Sequence, residues 1–215
     1  MNLTTTEKYA LAAFEANKKM PSIQKQERGI CLVASCIWDM VKAEVIVPDT
    51  KGRLKVSAPL PETLSYCGSI YEFLAKKPRK PEDVVLEYTH TLTDKRMKSL
   101  TEKLVNELAG KALLTVEEQD GLLGTKLCHV DNSVLATDMA AIKNLNDAIS
   151  PEQFMLAILL LKSGVAKKLL DREQLSKLKK AASQDKGDFQ PYVKNMISMT
   201  EAMISSSIAV FMITQ

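Results

Sequence analysis

At 215 residues, 46% hydrophobic and 26% charged, the chain is long enough for one well-buried core, or two small lobes sharing an interface, and ordinary in composition. Its net charge of +3 excludes the strongly basic footprint of a dedicated nucleic-acid protein. The four cysteines, Cys31, Cys36, Cys67 and Cys128, include no CxxC pair. That spacing argues against a disulfide framework or a zinc site and for buried, reduced thiols.

Thr4 and Glu7 have the spacing of a capping box, and Tyr9, Leu11, Ala12 and Phe14 follow as an apolar helical stretch. The first twenty residues include Glu7, Glu15 and Asn17 and lack a cleavable signal pattern. After Pro21 a long helix is predicted from Gln24 to Ala43, with Ile30, Val33, Ile37, Met40 and Val41 along one side. The runs EVIV, PDTKG and RLKVS read as strand, turn and strand, a first hairpin over 44–57.

Pro59 and Pro61 close that unit. ETLSYCGSIYEFLAKK reads as helical, and the proline-bracketed basic run KKPRKPED (76–83) as an exposed connection. Two helices are predicted at 82–92 and 94–109. The second is basic on its early turns through Lys95, Arg96, Lys98 and Lys103, and Gly110 suits its C-terminal cap. ALLTVEE and LLGTKLCHV then flank Asp120-Gly121 as a second hairpin. Leu122 and Leu123 thus fall at or beside its tip, a place where polar residues are usual.

From residue 133 the pattern is helical again. Ser150-Pro151-Glu152-Gln153 combines an N-cap, a proline at the first helical position and a capping-box glutamine. The segment it opens is apolar on nearly every side until Lys162 and should be a buried central helix. A last, largely apolar helix spans 191–213. The longest apolar stretches, FMLAILLL (154–161) and AMISSSIAVFMI (202–213), fall short of the ~20 residues that span a bilayer, so a soluble chain is expected. The fold class is mostly α: a single-domain helical bundle over 1–215 around a buried apolar helix, with two small β-hairpins.

Nothing in the sequence argues for catalysis. His90 and His129 lack oriented partners, and no nucleophile elbow, phosphate loop or zinc-protease motif occurs. Glu117 and Glu118 are adjacent on a strand, so they face opposite ways. No enzyme, metal or cofactor is expected. What remains is a surface pattern: Lys95 and Lys98 share a helix face that leads into a hairpin with leucines at its turn. Cations beside apolar tips suit an anionic membrane surface. A basic helix followed by a hairpin is also the outline of a winged-helix DNA-binding unit. Glu117, Glu118 and Asp120 on the wing would repel phosphate, which ranks that reading second. A plain protein-interaction scaffold is the third.

Three stretches resemble the Golgi phosphoprotein 3 family: LTTTEKYALAAF (3–14), MVKAEVIVPDTKGRLKV (40–56) and LTEKLVNELAGKALLTVEEQDGLLG (100–124). The resemblance implies a mostly helical peripheral membrane protein without catalytic activity, cytoplasmic and membrane-associated, whose projecting hairpin supports self-association. Eukaryotic members bind phosphatidylinositol 4-phosphate through a tryptophan before the second helix, an arginine in that helix and two arginines at i,i+3 before the hairpin. Here the pair falls on Lys98 and Thr101. The helix arginine falls on Arg28, or on Leu32 if KAEVIV sets the alignment. The only tryptophan, Trp38, lies inside the helix. The expected lipid-binding residues are Arg28, Lys95, Arg96, Lys98 and Thr101. Leu122 and Leu123 are the expected membrane or oligomer contacts. The expected partners are an anionic membrane lipid and a second copy of the chain.

Overall fold

The computed structural model describes residues 2–18, 23, 26–89, 94–119, 125–144, 149–183 and 191–213. Among these the chain is predominantly helical, with two antiparallel two-stranded sheets. Helix α1 (Thr5–Asn17) begins with the expected capping box: the Glu7 amide donates to Thr4 Oγ1 at 3.2 Å, and the Thr4 amide to Glu7 Oε2 at 2.9 Å. Helix α2 (Gln26–Lys42) follows. Its apolar residues were expected along one side, yet every residue from Ile30 to Met40 is buried. The reason is its position, because α1 and three later helices, α4 (Pro81–Thr89), α7 (Pro151–Lys162) and α10 (Pro191–Ile213), all pack against it.

The first hairpin pairs β1 (Ile46–Pro48) with β2 (Leu54–Val56). Asp49 organises its turn by accepting the amides of Lys51 at 2.8 Å and Arg53 at 2.9 Å, and Gly52 takes φ +72°. The helical stretch after Pro61 is divided into a tight 3₁₀ turn (Glu62–Cys67), distorted at Leu64, and helix α3 (Gly68–Ala75). Helix α4 spans Pro81–Thr89 and helix α5 Lys95–Gly110. Gly110 is not the left-handed residue after α5. Ala112 takes that conformation at φ 57°, and the Leu113 amide closes back onto the Leu108 carbonyl at 3.0 Å. Lys111, ion-paired to Glu107 and to the fully buried Glu7, holds the chain against α1 and delays the reversal.

The second hairpin pairs β3 (Leu114–Gln119) with β4 (Thr125–Val130) in register from Leu114↔Val130 to Gln119↔Thr125. Leu122 and Leu123 lie outside the described residues, as does His90. The Cys128 amide donates to the Lys18 carbonyl at 2.9 Å, so the end of α1 covers part of β4's outer edge. After a 3₁₀ turn (Asn132–Leu135) come α6 (Ala136–Asn144), α7 (Pro151–Lys162), α8 (Ala166–Leu169), α9 (Arg172–Ser183) and α10 (Pro191–Ile213). Helix α7 is the buried apolar helix that the sequence announced: Phe154 to Leu160 are all buried, and Ser150 and Gln153 complete its capping box. One apolar cluster joins residues from Leu3 to Ile204, and all four cysteines are buried and unpaired in it.

Candidate anionic-surface site

Helix α5 starts without help. Its N-cap, Asp94, sits at φ 49° and makes no side-chain capping bond, and no acidic residue occupies the first turn. That turn instead carries Lys95, Arg96 and Lys98, all exposed. Cations at a helix N-terminus oppose the macrodipole, at about 0.3–1 kcal/mol each when exposed. Arg96 is partly neutralised by Glu87 of α4, with Nη2 2.9 Å from Oε1. Lys95 and Lys98 form no ion pair with any described residue. Two lysines and the positive end of a helix therefore converge on one exposed turn.

Thr101, one turn further along, is not on this surface. It is fully buried, and its hydroxyl donates to the Met97 carbonyl at 2.8 Å. The family resemblance paired it with Lys98, but α5 presents Met97, Leu100, Thr101 and Leu104 to the core. Thr101 therefore lies beneath the cationic turn and presents no exposed hydroxyl.

Arg28 occupies a different place. It lines a small concavity of about 120 Å³ with Asn17, Ser163, Gly164, Val165 and Lys168. The α5 cations do not line it. The Arg28 carbonyl accepts the Tyr9 hydroxyl at 3.0 Å, which fixes this turn of α2 on α1. Gly164, at φ 73°, reverses the chain after α7 and brings Lys168 back to the end of α1, where its ammonium donates to Asn17 Oδ1 at 2.8 Å. A second cation thus joins Arg28 from 140 positions away in sequence. Sequence reading missed Lys168, and only its place in KSGVAKK after a turn glycine hinted at it.

His129 has a partner that sequence spacing did not disclose. Glu117 Oε2 lies 3.3 Å from its Nε2, because the β3–β4 register makes the two diagonal neighbours on one exposed face. No third ligand accompanies them, and no group of three metal-ligating side chains occurs among the described residues. In a groove of about 560 Å³ between the 62–67 turn and α5, lined by Ser65, Tyr66, Lys103, Asn106, Glu107, Gly110 and Lys111, the acid Glu107 and the base Lys111 already pair with each other.

Fold and surface together define a predominantly helical protein with two small hairpins and a cationic helix start. Among the described residues no helix is long and apolar enough to cross a membrane. The family model of Golgi phosphoprotein 3 (GPP34) matches residues 6–199, so the chain belongs to the Golgi phosphoprotein 3 family. No curated protein matches it by sequence.

Proposed function

We propose that this protein is a non-catalytic, cytoplasmic peripheral membrane protein that binds anionic lipid headgroups and self-associates through the β3–β4 hairpin. The observation that carries the reading is the first turn of α5, where Lys95 and Lys98 stand exposed and without a carboxylate partner among the described residues. An arriving phosphate offsets the repulsion between these cations and the helix dipole. Lysine contacts phosphate as a point charge and lacks arginine's bidentate fork. Arg28 and Lys168 supply a second contact at the end of α1. Phosphatidylinositol 4-phosphate is the headgroup that family membership favours.

Liposome co-sedimentation at two salt concentrations tests this, with neutral vesicles, generic anionic vesicles and vesicles containing phosphatidylinositol 4-phosphate. Binding that follows the phosphoinositide supports headgroup recognition, and equal binding to every anionic vesicle leaves an unselective membrane contact. No pelleting under any condition rejects the reading. Leu122→Asp combined with Leu123→Asp tests the hairpin: an unchanged oligomeric state and unchanged vesicle binding remove its role.

A further inference from the structure

The connection between α3 and α4 carries Lys76, Lys77, Arg79 and Lys80 within five positions and no acidic residue. All three lysines are exposed. The connection is not a loose strap. Arg79 exchanges both backbone hydrogen bonds with Leu54 of β2, its amide donating at 3.0 Å and its carbonyl accepting at 2.7 Å. Pro78 and Pro81 fix the backbone on either side.

The ring of Phe73 links this connection to α5. The Arg79 guanidinium carbon lies 4.1 Å from the ring centroid and that of Arg96 lies 5.4 Å from it. Two arginines from separate segments thus share one buried ring, a contact geometry typical of cation–π pairs. The Arg79 Nε is itself buried without a hydrogen-bond partner. Like charges held this close repel, and among the described residues only Glu87, on Arg96, and Glu82, 3.9 Å from Lys80, offset them by ion pairing.

We propose that Lys76, Lys77 and Lys80 form, together with Lys95 and Lys98, one continuous face that docks on an anionic phospholipid bilayer. The proposal rests on the membrane reading above and extends it from a single helix turn to a second element. Three features favour a bilayer. The lysines project from an exposed connection and line none of the concavities described above. The two arginines that could read base edges are occupied by Phe73 and Glu87. Phe73 is buried and offers no stacking platform to a single strand. Exposed lysines, of which only Lys80 faces a carboxylate among the described residues, suit a dense field of headgroups.

The test compares the full chain, the combined variant Lys76→Gln, Lys77→Gln and Lys80→Gln, and Lys98→Ala, by co-sedimentation with phosphatidylcholine vesicles and with phosphatidylcholine–phosphatidylserine vesicles. The three exposed lysines are outside the core, and an unchanged thermal transition checks that the variant is folded. The expected result is binding to the anionic vesicles only, weakened about tenfold to a hundredfold in the triple variant, with a shallower salt dependence. Equal binding by the triple variant, with loss in Lys98→Ala, overturns this proposal and leaves the α5 reading standing. Failure of the unmodified chain to pellet with either vesicle overturns both. Duplex DNA binding that the triple variant loses, without vesicle binding, reassigns the face to nucleic acid and overturns the bilayer.

Discussion

Asp39 of α2 caps the start of α1 from 33 positions away: its Oδ2 accepts the Thr6 amide at 2.8 Å and the Thr6 hydroxyl at 2.6 Å. Its Oδ1 accepts the Thr5 amide at 3.1 Å. These are orphan donors of a helix N-terminus, and burial makes them costly to leave unpaired. Asp39→Ala should therefore destabilise the protein by about 2–3 kcal/mol in urea unfolding, above the usual cost of losing a cap because the donors left behind are buried. A change below about 0.5 kcal/mol would show that water or rearrangement replaces the carboxylate.

The same carboxylate gives a pH signature. Burial raises the Asp39 pKa above its ordinary value, against the hydrogen bonds from Thr6 and Thr5 that pull it down. Above about pH 4 the folded chain keeps a proton that the unfolded chain has released. Stability from this group is thus greatest at acid pH and declines as pH rises, until the folded Asp39 ionises. Asp39→Asn removes the titration. The stability of the wild type relative to this variant should fall as pH climbs from about 4, measured by denaturant unfolding at several pH values. A flat difference refutes the shift.

Ala112 carries a left-handed backbone at the end of α5 with φ 57°. An L-residue there costs about 1–2 kcal/mol relative to glycine, partly repaid because glycine loses more freedom on folding. Ala112→Gly should raise stability by about 0.5–1 kcal/mol, and Ala112→Val should lower it. A thermal midpoint that falls on introducing glycine would contradict this account of the reversal.

Arg28 with Lys168, and Lys98, stand in separate places on the structure. Their contributions to anionic-vesicle affinity should therefore add in free energy, each cation contributing up to about 1 kcal/mol at low salt. The measurement is a cycle of Arg28→Ala with Lys168→Ala, Lys98→Ala, and all three together. Strong non-additivity would mean that the cations converge on one headgroup.

Local signals marked much of the fold in advance. The boxes at Thr4–Glu7 and Ser150–Gln153 are short-range hydrogen-bond patterns, and both helices start where those patterns sit. The hairpin at 114–130 followed from alternation around a turn dipeptide. Gly110 misled because a C-terminal cap depends on where the chain is next held. Here Lys111 is held by Glu7, over a hundred positions away.

The candidate site divides the same way. The basic first turn of α5 and the lysine-rich 76–80 connection were legible residue by residue, since composition and helical spacing suffice to place charges on exposed segments. The sequence also carried, through three ordered stretches, the family to which the chain belongs. That Thr101 faces inward and that Lys168 joins Arg28 followed from packing alone. Packing also decided that Phe73 gathers Arg79 and Arg96 around one ring. Those relations depend on which helix face meets the core and on chain reversals far apart in sequence. Packing sets both, and no local pattern encodes them.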